Sequence, residues 1–295
     1  MSSPIDIGRI GIWTGALDGH STAAAQDAAR LLESLGFTTL WIPEAVGRDP
    51  FVNSANLLAA TSSLKLATGI ANIYARDPMT TVACQKTLAE AYPGRFLLGL
   101  GVSHKHLVSN VRNHDYSKPL AYMKQYLEAM SKALFMAVGP TEDPGCVIAA
   151  LGPKMLELAA SACSGAHPYF TNPEHTAIAR ETMGAGPLLA PEQMVVLETD
   201  PTKAREIARS GMGVYLRAPN YLNNLERLGF NASDWADGPT DRLIDAIVAW
   251  GTLDQIKARV QAHHDAGADH VCVQVLRADR AIPTTEWREL ASALL

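Results

Sequence analysis

The feature that most constrains this chain is a repeated phrase: a short, almost wholly apolar run, a break, then a stretch with helical spacing. Ile10-Gly11-Ile12-Trp13 is the first such run. Thr22 then reads as a helix cap, and Ala24, Ala28, Leu31, Leu32 and Leu35 fall on one face of an α-helix that Gly36 stops. Thr39–Ile42, β-branched and aromatic, follows at once and ends at Pro43. Two apolar strands joined through a helix by short connections are the signature of a parallel sheet.

The phrase recurs along the chain. A helix over 52–62 leads to a strand over 66–70, and a helix over 79–91 leads to Phe96-Leu97-Leu98-Gly99-Leu100. After a polar stretch, 103–118, a helix runs to about Phe135. Strands over 146–150, 166–170 and 194–197 are each followed by helix, at 154–163, 174–183 and 203–216. A helix carrying Leu253, Ile256 and Val260 ends at Gly267, before a strand over 271–276 and a closing helix over 287–294. About eight strands, each nearly continuous in apolar residues, predict one TIM-type (β/α)8 barrel spanning residues 1–295, with helices covering the sheet. An open doubly wound sheet would carry a glycine-rich phosphate turn after its first strand, and Gly11-Ile12-Trp13-Thr14-Gly15 lacks that spacing. Two stretches, 103–118 and 219–240, exceed ordinary barrel connections and read as insertions; the first directly follows a strand end and so is assigned to the site.

Composition narrows the function classes. The 295 residues are 47% hydrophobic with a net charge of −5, and the longest basic stretch is His104-Lys105-His106, so no nucleic-acid partner is expected. No run of about 18 apolar residues predicts a membrane span, and the opening Met1-Ser2-Ser3-Pro4-Ile5-Asp6 has no secretory leader pattern. Cys84, Cys146, Cys163 and Cys272 form no C-x-x-C pair, and the last three lie in apolar contexts, as buried free thiols do. A cytoplasmic location is the expectation; the choice between monomer and homodimer is left open.

In such a barrel the chemistry gathers at the C-terminal ends of the strands. Those ends carry Trp13-Thr14-Gly15, Glu44-Ala45, Gly69-Ile70-Ala71-Asn72, Gly101-Val102-Ser103-His104, Leu151-Gly152-Pro153, His167-Pro168-Tyr169, Glu198-Thr199 and Gln274. The rim has glycines and scattered polar groups but no dense carboxylate or histidine cluster, which fits an organic cofactor better than a hydrolytic metal centre. His104-x-His106 follows about the fourth strand, whereas the metal-binding motif of barrel hydrolases closes the first, so no metal ligand is assigned. His263 and His264, adjacent on a helix and about 100° apart, are expected at the surface.

Three phrases then become specific: Leu40-Trp41-Ile42-Pro43-Glu44-Ala45, the segment Ala67-Thr68-Gly69-Ile70-Ala71-Asn72-Ile73-Tyr74-Ala75-Arg76-Asp77-Pro78, and Gly94-Arg95-Phe96-Leu97-Leu98-Gly99-Leu100-Gly101-Val102-Ser103-His104. With Gly267-Ala268-Asp269-His270-Val271-Cys272-Val273-Gln274-Val275 as a last strand, the chain resembles the luciferase-like monooxygenases, and its middle phrases resemble the branch that uses the deazaflavin coenzyme F420. The resemblance implies an oxidoreductase moving a hydride between that coenzyme and a small organic substrate. FMN-dependent monooxygenation on the same fold, a non-catalytic flavin-binding member and a metal-dependent hydrolase are the alternatives.

The same resemblance implies a non-proline cis peptide at Gly69–Ile70, behind the coenzyme's central ring. It implies ring or loop contacts from Ala71, Asn72, Gly101, Val102 and Ser103, and phosphate contacts from Leu151, Gly152 and the region of His167 and Thr171. Its sugar-oxidising relatives carry a glutamate proton donor where this chain has His104, and a histidine where it has Ala45, which argues against a sugar substrate. His104 and Glu44 are the acid–base candidates. The coenzyme's phosphate and glutamate tail call for local cations, for which Arg76, Lys105 and Lys154 are the candidates.

Overall fold

A computed structural model describes residues 5–279 and 281–295; the opening Met1–Pro4, read above for a leader, lies outside them. The strands are β1 (Ile10–Trp13), β2 (Thr39–Ile42), β3 (Lys65–Thr68), β4 (Ala71–Asn72), β5 (Phe96–Gly101), β6 (Cys146–Ile148), β7 (Gly165–Ala166), β8 (Leu188–Leu189), β9 (Glu192–Val196), β10 (Val248–Trp250) and β11 (Val271–Val275). All pairings are parallel, in the order β9-β11-β1-β2-β3-β5-β6-β7-β8.

The two ends of that order are one piece of chain. β8 and β9 are separated only by Ala190-Pro191, and the ladder holds through the gap, with Ala190 N–H donating to Ala166 (2.9 Å) and Cys272 N–H to Pro191 (3.0 Å). Taking β3 with β4 and β8 with β9 as single staves, and setting β10 aside, the eleven strands among the described residues make eight staves of a closed barrel. β10 joins the upper part of β9, Val248 opposite Met194.

Register sorts the strand residues into two shells, as a period of two demands. Ile12, Leu40, Leu66 and Phe96 stand in register and pack against the helices, while Trp13, Trp41, Ala67 and Leu97 stand in register one step on and fill the interior. Bulk inside is balanced by glycine. A side chain on Gly11 would meet His270 at 2.7 Å, and it is His270 Nε2 that accepts the Trp41 indole N–H at 3.1 Å. Trp41 also stacks on His167, ring centroids 4.3 Å apart.

Several boundaries differ from the sequence reading. Ser21, not Thr22, caps the first helix, accepting from Ala24 N–H at 3.2 Å. The helix expected over 203–216 ends at Met212, and Asp241–Ile247 is a helix that the sequence reading missed. β8 and β10 were missed because two or three residues beside Gly, Pro or a helix end show no period. His263 is fully buried rather than exposed, held by Thr176 Oγ1 (2.8 Å) and Gln193 Oε1 (2.9 Å); a buried imidazole is tolerated when both nitrogens are partnered. Cys146 is half-buried, with Cys163 and Cys272 buried, and all four cysteines are free thiols.

Candidate active site at the mouth of the barrel

A cavity of about 560 Å³ sits over the C-terminal ends of the strands. Its base is a knot of backbone and ring contacts. Trp13 Nε1 donates to Gly69 O (3.1 Å), the Gly69–Ile70 peptide is cis, and Ile70 O accepts from Glu44 N–H (3.2 Å). The Ile70 side chain occupies the space that a side chain on Gly101 would need, 2.4 Å from it. Ser103 turns the chain with φ +56°, and its carbonyl takes the Tyr116 hydroxyl at 2.9 Å. His167 stands beside Gly69 with Nδ1 on Ala190 O (2.8 Å) and Nε2 buried without a partner among the described residues; burial pushes its pKa down to about 4, so the ring is neutral.

Glu44 lines the cavity, but its oxygens are engaged elsewhere. Asn72 N–H donates at 2.7 Å, and Arg76 reaches both oxygens at 2.8 and 2.6 Å, with Arg112 at 3.8 Å. Carboxylate and guanidinium are only 6% and 11% exposed, so this is a closed, nearly dry pair. Arg76, further tied to Asp49 (3.0 Å), is therefore not a spare cation for a ligand.

The opposite end has a cation of another kind. Gly152 begins the helix Pro153–Ala162 with no side chain capping it. Arg227 faces that turn: a side chain on Gly152 would come within 3.3 Å of the guanidinium, and among the described residues Arg227 bonds only Asn224, at 3.4 Å. An uncapped helix start with an unpaired guanidinium above it suits an anion. Lys105 and Lys154 are exposed and line no part of the cavity.

One helix, Pro219–Arg227 in the second insertion, spans both ends. Arg227 stands over Gly152, and six and seven residues earlier, about 9–10 Å along the axis, Tyr221 and Asn220 stand over His104. His104 is bonded to Asn220 and lies against Tyr221, ring centroids 5.3 Å apart; its Nδ1 is buried with no partner among the described residues. Burial lowers its pKa, only partly opposed by Asn220, so the imidazole is neutral at pH 7.

Of the residues singled out from sequence, Glu44, Gly69, Ile70, Val102, Ser103, His104, Leu151, Gly152 and His167 line this cavity. Ala71, Asn72, Gly101 and Thr171 do not. Ala71 is sealed in β4, Asn72 serves Glu44 and Tyr74, Gly101 lies behind Ile70, and Thr171 is buried with its hydroxyl unpartnered. His167 lies at the base beside Trp13 rather than at the Gly152 turn. Sequence reasoning missed Tyr215, Asn220, Tyr221 and Arg227, and gave Tyr169 no role. The one signal for the insertion residues was its unusual length.

A closed parallel barrel whose strand ends surround a large, mostly apolar cavity with an anion-suited turn defines a class: barrel enzymes built around a bound organic cofactor. The family model described as luciferase-like monooxygenase matches residues 9–270, and the chain belongs to that family. It is 27% identical over 288 residues to 5,10-methylenetetrahydromethanopterin reductase of Archaeoglobus fulgidus, covering 82% of this chain and 86% of that protein. In structure it is similar to an F420-dependent secondary alcohol dehydrogenase in complex with an F420-acetone adduct (TM-score 0.80, 15% identity, all of both chains). It is also similar to the FMN-bound oxygenating constituent of 3,6-diketocamphane monooxygenase from Pseudomonas putida (TM-score 0.71, 14% identity, 97% and 98% covered). Among the described residues no helix is long and apolar enough to cross a membrane.

Proposed function

We propose that this chain is a deazaflavin-dependent oxidoreductase that moves a hydride between coenzyme F420 and a small organic substrate. The observation that carries this reading is the two-ended cavity. An uncapped helix start under Arg227 would hold the phosphate, while Gly69 and Ile70 would back the ring and His104 stands at the far end. The bound coenzyme would supply the hydride chemistry; the protein supplies position, exclusion of water and a neutral imidazole. His104 is the proton-handling group, because its pKa lies below the ordinary value and it keeps one unpartnered nitrogen. Glu44 is a positioning group, its two oxygens committed to Asn72 and Arg76.

FMN also carries a phosphate, and an FMN-bound protein shares the fold, so the discriminating experiment is competition between cofactors. Purified protein is titrated with F420 and with FMN, following fluorescence. Tight binding of F420, with turnover of a carbonyl or alcohol panel, is expected. Tight FMN binding with no affinity for F420 would overturn the reading.

A further inference from the structure

One wall of the cavity is aromatic and without free charge. Ring centroids step from Trp13 to Tyr169 (5.0 Å), to Tyr215 (5.3 Å), to Tyr221 (5.5 Å) and on to His104 (5.3 Å). The hydroxyls along this arc are not equivalent. Tyr169 donates to Gln274 Oε1 (2.7 Å) and shares a hydrogen bond with Tyr215 (2.6 Å), so those two are satisfied within the protein. Tyr221 is 6% exposed and lines the cavity, yet among the described residues its hydroxyl has no hydrogen-bond partner.

The Tyr221 hydroxyl is not sealed in the way His104 Nδ1 is; it opens to the cavity, where water or a ligand oxygen can accept from it. The acceptor has to come from the cavity. We propose that Tyr221 is the substrate-binding donor, and that the site takes an uncharged, flat organic molecule whose carbonyl or hydroxyl oxygen accepts from that phenol while its body lies on the aromatic arc.

Charge excludes the obvious competitor. The cavity's formal charges are Glu44, engaged by Arg76, and Arg227, at the Gly152 turn about two helical turns from Tyr221. A carboxylate on the arc would be desolvated with no cation beside it, which is costly. Burial raises the Tyr221 phenol well above its usual pKa, so it remains a neutral donor throughout the working range.

This assignment rests on the cavity being a substrate site for the oxidoreductase proposed above, and its test separates the two. The probes are acetophenone and benzoate, alike in shape and different in charge. Each is titrated by ligand-observed NMR without coenzyme into the chain and into Tyr221→Phe, both carrying Arg227→Gln so that benzoate cannot seat on the open guanidinium; F420 affinity is measured on the full chain and on Tyr221→Phe alone, and reduction of acetophenone by reduced coenzyme is then followed. Acetophenone is expected to bind at least tenfold more tightly than benzoate. Tyr221→Phe should lose about tenfold or more in acetophenone affinity and in kcat/KM, with F420 affinity changed less than twofold. Equal acetophenone affinity in the two proteins, or benzoate binding as tightly as acetophenone, would overturn the proposal. Ketone binding that depends on Tyr221 in a protein with no F420 affinity would strike the coenzyme reading and leave the Tyr221 assignment standing.

Discussion

Two arginines stand near the cavity, Arg76 behind the lining residue Glu44 and Arg227 in the lining itself, and the two are in opposite states. Arg76 is enclosed with Glu44 and Asp49, its guanidinium hydrogen bonds met by carboxylates and its backbone carbonyl held by the Tyr126 hydroxyl (3.0 Å). Arg227 faces a helix start and has only a weak contact to Asn224. The same side chain serves architecture in one place and stays available in the other. The difference teaches that charge type along the sequence does not mark a ligand site; the state of its partners does. An arginine whose counter-charge is built in contributes rigidity, and one whose counter-charge is missing waits for it.

The contrast can be broken most forcefully at the closed end. Arg76→Ala strands Glu44, almost wholly buried, with only Arg112 at 3.8 Å to compensate, and should cost about 3–5 kcal/mol of stability in chemical denaturation. A loss under about 1 kcal/mol would show the pair to be solvent-screened after all. Next comes the chemical end. His104→Ala should lower turnover roughly a hundredfold while F420 still binds, and unchanged turnover would reduce His104 to packing against Tyr221. The open arginine should behave in reverse to Arg76: Arg227→Gln should leave stability within about 0.5 kcal/mol and weaken F420 binding by about tenfold to a hundredfold. An unaltered dissociation constant would remove the phosphate from that turn.

A pH-dependent effect belongs to a carboxyl outside the cavity lining. Glu192 is fully buried, with one oxygen accepting from Phe170 N–H (3.2 Å) and the other unpartnered among the described residues, and burial raises its pKa from 4.5 to about 8. The folded chain therefore holds this proton more tightly than the unfolded chain. Folding stability should decline as pH rises from about 4.5 towards 8 and level off above. Glu192→Gln, which cannot ionise, should flatten that decline, giving a melting temperature a few degrees above wild type at pH 8 and little change at pH 5. Parallel pH profiles for the two proteins would show that Glu192 does not carry the dependence.

Much of the barrel was legible because it is written locally. Ile12, Leu40, Leu66 and Phe96 announce strands by being apolar in short runs, and Ala24, Ala28, Leu31, Leu32 and Leu35 announce a helix by their spacing, although the face it buries is Ala25, Ala28, Ala29 and Leu32. The Gly69-Ile70 and Gly101–His104 phrases were legible for another reason, a resemblance that carries position with it. Where local signal was thin, the reading slipped: β8 is two residues long, and His263 looks polar until Thr176 and Gln193 are brought against it.

By itself, then, the sequence determined that strands alternate with helices, that the strands are covered on both faces, and that the polar rim lies at their C-terminal ends. All three follow from short-range geometry, a period of two or 3.6 residues and the need to bury apolar surface. The tertiary structure alone decided that Leu188–Leu189 and Glu192–Val196 close one ring, that Glu44 is already satisfied, and that Arg227 is not. It also set Tyr221 against His104, residues 117 positions apart by subtraction of their numbers. Whether a charged or phenolic group is spent or available depends on partners brought in by register and by the packing of an insertion, and no local period encodes those.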